Sequence, residues 1–115
     1  MVGYKRHLTL EGRVLTKDGK TPAAGVTVYP MPPGRFTVTT DADGRFVVPE
    51  IELFEDTATI RYRETPTVEL KQSTRLENRE LQVVFIRDGA YAGRKYVPVD
   101  TQSKVQRIEV ELEFE

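Results

Sequence analysis

Ile108-Glu109-Val110-Glu111-Leu112-Glu113-Phe114-Glu115, the end of the chain, alternates apolar and acidic residues without a break. Successive side chains of a β-strand point to opposite faces, so this segment puts its four apolar residues on a core and its four glutamates in water. A helix would scatter the glutamates around its axis. The same period of two recurs upstream. Leu8, Leu10, Gly12 and Val14 oppose His7, Thr9, Glu11 and Arg13, and Val26 and Val28 oppose Thr27 and Tyr29. Phe36, Val38 and Thr40 continue it, then Phe46 and Val48, then Ala58, Ile60 and Tyr62 against Thr59, Arg61 and Arg63. Val68 and Leu70 suggest a short strand, and Leu81–Ile86 reads as a strand apolar on both faces.

Between these runs lie the residues that reverse a chain. Asp18-Gly19 and Asp43-Gly44 supply positive φ, Pro22-Ala23-Ala24-Gly25 makes a bend, and Pro30, Pro32 and Pro33 end a strand because proline donates nothing to a ladder. The Asp41–Gly44 turn is expected to close a hairpin over residues 36–48. Glu50–Asp56 reads as a packed loop, and Asp88–Gly93 as a turn inside a Gly-containing 87–99 loop. Thr74 with Glu77 fits a capping box, which allows one short helix at 73–80. No window carries an apolar stripe of helical period. The expected fold is an all-β, Greek-key antiparallel β-sandwich of about seven to eight strands, formed by residues 1–115 as a single domain. Its inward set is Leu8, Leu10, Val14, Val26, Val28, Phe36, Val38, Phe46, Val48, Ile60, Tyr62, Val83, Phe85, Ile108, Val110 and Leu112.

Composition narrows the chemistry. The chain has 115 residues, 38% hydrophobic and 30% charged, with no Cys, no Trp and one His. Disulfides, thiolate nucleophiles and Cys-ligated metals are excluded, and His7 alone cannot build a His cluster. Seventeen basic and 18 acidic side chains give a net charge of -1. Neither half is polybasic, so nucleic-acid binding has little electrostatic support. No apolar run reaches the ~18 residues of a helical membrane span, and the N-terminal residues lack the apolar stretch of a signal peptide.

Leu10-Glu11-Gly12-Arg13-Val14, Asp18-Gly19-Lys20, Pro22-Ala23-Ala24-Gly25-Val26-Thr27-Val28 and Thr39-Thr40-Asp41-Ala42-Asp43-Gly44-Arg45-Phe46 together resemble the carboxypeptidase regulatory-like domain family. The resemblance covers residues 8–62, with Ala58–Tyr62 as the next family strand, and the terminal strand 105–115; residues 64–103 depart from it. It implies a transthyretin-like (prealbumin-like), seven-strand Greek-key sandwich. It also implies an accessory module of exported, cell-surface or outer-membrane receptor proteins, without catalysis or cofactor, and therefore an extracytoplasmic location. The implied partners are other domains of a parent protein, or a cell-surface protein.

Three groups of residues are candidates for a site. Asp41 and Asp43 form a D-x-D loop that would offer oxygens to calcium, with Glu52, Glu55 or Asp56 completing the shell; the alternative is a plain turn with solvated carboxylates. Glu109, Glu111 and Glu113 recur at ~6.5–7 Å, a spacing at which glycosidase carboxylates occur, but an open strand face is no pocket. Tyr91 and Tyr96, with Arg94 and Lys95 nearby, are the expected binding surface. Two tyrosine rings suit a protein partner or a glycan, and the cations steer an acidic partner. The competing reading of the same residues is a hairpin tip of no function, or rings that close the sandwich. A carbohydrate- or peptide-binding module is the alternative function.

Overall fold

The computed structural model describes residues 5–30, 35–99 and 104–113, and it is an all-β sandwich. The strands are β1 (Arg6–Leu15), β2 (Thr27–Pro30), β3 (Val38–Thr39), β4 (Arg45–Phe54), β5 (Thr57–Thr65), β6 (Val68–Arg75), β7 (Glu80–Arg87), β8 (Ala90–Pro98) and β9 (Val105–Glu111). One sheet has the order β6-β5-β4-β1-β9 and the other β3-β2-β7-β8. The chain crosses between sheets after β1, β3, β6 and β8, so β1 neighbours β4 and β2 neighbours β7, the Greek-key arrangement. Every pairing is antiparallel except β1 with β9, where Gly12 faces Ile108 and Val14 faces Val110.

The period of two sorts the side chains as the alternation requires. Leu8, Leu10 and Val14 of β1, Val48 of β4, Val28 of β2, Val83 and Phe85 of β7 and Val110 of β9 are all buried between the sheets. Phe46 packs edge-on against Phe85 with ring centroids 6.0 Å apart. Gly12 faces the same interior, where a Cβ would run into the Phe46 ring. Phe36, Val38, Tyr62 and Ile108 are half-buried at the rim of this core.

The architecture corrects several local expectations. Glu50–Asp56 is no loop: β4 continues to Phe54 through a bulge at Pro49-Glu50, where β1 advances two residues, Leu8 to Leu10, while β4 spans Ile51 to Val48. Glu50 takes φ 46°, and the extra residue switches parity so that Ile51 and Leu53 also point inward. The Asp41–Gly44 turn closes no hairpin. β3 pairs with β2, and the turn carries the chain from one sheet to the other. Gly44 sits at φ 74° against the carbonyl of Val14, leaving no room for a side chain. Residues 73–80 hold no helix, since β6 runs to Arg75 and a tight turn with Asn78 and Arg79 at positive φ leads into β7. The 87–99 segment is strand β8 after a two-residue turn, Asp88-Gly89, with φ of 51° and 77°. Among the described residues nine strands therefore stand where seven to eight are expected. Pro32 and Pro33, and Phe114 and Glu115 of the terminal alternation, lie outside the described residues.

β5 and β6 form a hairpin appended to β4, and only Thr57–Ile60 of β5 pair with β4. Beyond Ile60 the hairpin projects from the sandwich, held on its inner side by Phe36, whose ring lies tilted 51° to that of Tyr62 with centroids 5.3 Å apart, and by Gln72, which accepts from the Phe36 N–H and donates to the Pro30 carbonyl. Without this hairpin the sheets keep three and four strands, seven in all.

Candidate interaction face

The tyrosines expected in a loop stand on a sheet. Leu81, Val83 and Phe85 of β7 and Val97 of β8 are buried. Their neighbours in sequence therefore face out of the four-stranded sheet. Registers place Gln82 opposite Tyr96, Val84 opposite Arg94, and Ile86 opposite Tyr91. On the other side of β7, Tyr29 lies opposite Val84 and Thr27 opposite Ile86. The outer face thus reads in rows: Thr27–Ile86–Tyr91, Tyr29–Val84–Arg94, and Gln82–Tyr96.

A bulge makes the arrangement possible. β8 gains a residue between Gly93, which opposes Phe85, and Tyr91, which opposes Ile86. Without it, Tyr91 and Arg94 would fall on opposite faces of the strand. Ala92 is buried, and Glu113 crosses from the end of β9 to donate its N–H to the Ala92 carbonyl at 2.8 Å. The Tyr91 hydroxyl reaches the Glu113 carboxylate at 3.4 Å. Tyr91 is 43% exposed and Tyr96 50%.

Of the four expected binding residues the structure joins three. Tyr91, Arg94 and Tyr96 share the outer face, whereas Lys95 has the opposite parity, across from buried Val83, and is half-buried at the sandwich edge. Tyr29, on the outward parity of β2, completes the face with Val84 and Ile86, two residues not expected there. Their signal was present in the sequence, because a β7 apolar on both parities implies an apolar outer face as well as an inner one.

The other candidates are placed elsewhere. Asp41 Oδ1 accepts the N–H groups of Asp43 at 2.8 Å and Arg45 at 3.0 Å. The Arg45 N–H is the chief cause that holds the Asp41 carboxyl below its ordinary value; partial desolvation opposes it. That carboxylate is committed to the turn, and Glu52, Glu55 and Asp56 lie toward the other end of β4, so no shell assembles around it. Among the described residues no three His, Asp or Glu side chains converge on a metal position. Glu109 and Glu111 line the exposed outer face of β9, where Arg13 is the register neighbour of Glu109. His7 is exposed at the outer face of β1.

The most heavily bonded carboxylate, Asp18, is structural. Its Oδ1 accepts from the Thr16 hydroxyl and the Lys20 and Thr21 N–H groups, and its Oδ2 from the Thr21 hydroxyl, at 2.7–3.0 Å. These bonds, the Thr21 N–H foremost and the Lys20 N–H next, hold its carboxyl far below the usual range. They staple the turn after β1.

Comparison with family models, with curated proteins and with solved structures gave no match.

Proposed function

We propose that this chain is a non-catalytic interaction module that docks a protein surface through the outer face of its four-stranded sheet. The observation that carries the reading is the grouping of Tyr29, Tyr91 and Tyr96 with Val84, Ile86 and Arg94 on one face. Aromatic residues and arginine are the types enriched where proteins meet, because each supplies a large contact area with a polar end. Arg94, central in the patch, favours a partner that brings a carboxylate. The absence of cysteine and the presence of a single, exposed histidine support a non-enzymatic role.

The resemblance to carboxypeptidase regulatory-like domains supports placing the module within, or against, a larger cell-surface or periplasmic protein. Exposed Tyr96 beside Gln82 and Arg94 favours a second reading, a glycan stacked on the ring and hydrogen-bonded at its edge.

A glycan array and a titration against the adjoining domain of the parent protein separate the readings. Saturable binding to that domain, lost in Tyr96→Ala and Tyr91→Ala, is the expected result. Saturable glycan binding lost in the same variants would move the assignment to the second reading. Binding unchanged in both variants would overturn both.

A further inference from the structure

We propose that the chain self-associates through β6, pairing antiparallel with β6 of a second copy about a two-fold axis at Gln72 to give one continuous ten-stranded sheet. This surface is separate from the tyrosine face and does not depend on the function assigned to it.

The four sheet edges differ in how much backbone they offer. β3 is two residues long, and the edge of β8 is crossed by Glu113 at Ala92. β6 is eight residues long, contains no proline, and among the described residues has no strand on its far side. Its residues 69–71 lie on the part of the hairpin that projects beyond β4, and 72–75 run beside Thr57–Ile60, the part of β5 that pairs with β4. A strand of this length with one unpaired edge is a template for another strand.

Charge selects the partner and the register. Outer-face residues of β6 are Glu69, Lys71, Ser73 and Arg75, since Thr59, Arg61 and Arg63 oppose Ser73, Lys71 and Glu69. Inner-face residues are Leu70, Gln72 and Thr74. Pairing that keeps the outer faces of both copies on one side joins outer residues to outer residues. With Gln72 on the axis, Glu69 opposes Arg75 twice, Lys71 opposes Ser73, and Leu70 opposes Thr74. Sliding two residues one way sets Lys71 against Lys71, and the other way sets Lys71 against Arg75. Like charges directly opposite are destabilising, and opposite charges stabilise. A further slide, to Leu70 on the axis, restores Glu69 against Lys71 but shortens the overlap within the strand to residues 68–72. The Gln72 register is thus the longest that opposes no like charges.

Within each copy Glu69 already approaches Arg63 at 3.7 Å, both side chains being half or more exposed. Such a pair is weak and adapts to a second cation. The remaining edge, β9, is the rival: about Ile108 it would set Arg107 against Glu109. Arg107 is instead engaged with Glu11 at 3.1 Å in its own chain.

The test uses sedimentation equilibrium on the whole chain with three variants, and circular dichroism to confirm that each is folded. Glu69→Arg is expected to raise the dimer dissociation constant about tenfold, since two attractive pairs become repulsive. Glu69→Arg combined with Arg75→Glu is expected to restore it. Gln72→Cys, in a chain with no other cysteine, is expected to form a disulfide-linked dimer on mild oxidation. Residues directly opposed in an antiparallel pair lie at Cα separations a disulfide spans. A chain that stays monomeric to concentrations of order 1 mM, a dimer indifferent to Glu69→Arg, or cross-linking through Ile108→Cys in place of Gln72→Cys would each overturn the proposal.

Discussion

The two outer faces of this sandwich are built on the same alternation and differ in chemistry. On the five-stranded sheet the outward residues are mostly charged, among them Glu11 and Arg13 of β1, Arg45 of β4, Arg61 and Arg63 of β5, Lys71 and Arg75 of β6, and Arg107 and Glu109 of β9, with Val47 and Val105 exposed between them. On the four-stranded sheet they are mostly aromatic and aliphatic, Tyr29, Val84, Ile86, Tyr91 and Tyr96, with Thr27, Gln82 and Arg94 among them. Solubility asks for the first kind of surface; the second is what a contact surface needs. Inward positions are dictated by the core on both sheets alike, so folding alone does not account for the difference. It lies wholly in residues that face away from the core, and that is where a function can be written without disturbing the fold.

The comparison is first broken from the inside. Phe85→Ala removes a fully buried ring that touches Phe46, and a loss of about 3–5 kcal/mol is expected in urea unfolding. A loss under about 1 kcal/mol would mean that the sheets do not meet across this ring. Gly44→Ala forces a side chain into a positive-φ corner against the Val14 carbonyl, and the expected loss is upwards of ~1 kcal/mol. It tests the corner between sheets, where Gly44 lies against the carbonyl of Val14 on β1.

Acid sharpens the picture of the carboxylates. Asp18 and Asp41 have folded-state values below their unfolded ones. Their contribution to stability is present above the unfolded value of ~3.9 and is lost as pH falls through the folded values. Asp18→Asn is therefore expected to flatten the decline in thermal midpoint below pH 4, most visibly at the lowest pH. An unchanged acid limb would show that its four hydrogen bonds are not made in solution. On the charged outer face, Arg107→Ala breaks an exposed pair with Glu11, and a change within about 0.5 kcal/mol is expected from thermal melts.

Much of the fold could be read directly from the sequence. Alternation in β1, β2 and β9 places Leu8, Leu10, Val28 and Val110 inside, as found. It failed where one residue changes the count. Pro49 reads as a strand end, yet with Glu50 it forms a bulge, and Ile51 and Leu53 beyond it belong to the core on the switched parity. β6 was only half visible because a polar edge strand has no buried face to impose alternation. The site was legible in its residues and misplaced in its setting. Tyr91, Arg94 and Tyr96 are together, but on a strand, because the Ala92 bulge that aligns them leaves no mark in an alternation pattern. Lys95 falls on the other face because it stands between Arg94 and Tyr96 on a strand, and Tyr29, 62 residues before Tyr91, joins them only through the register with β7.

The central claim is that the tyrosine face is surplus to folding. Equilibrium unfolding of Tyr91→Ser/Tyr96→Ser against the unaltered chain tests it most directly. Rings that stand on the outer face as a contact surface predict a stability within about 0.5–1 kcal/mol of the original and an unchanged denaturant dependence. A loss of about 3 kcal/mol or more, the scale of emptying a core position, would show that the rings close the sandwich and are not a surface for a partner.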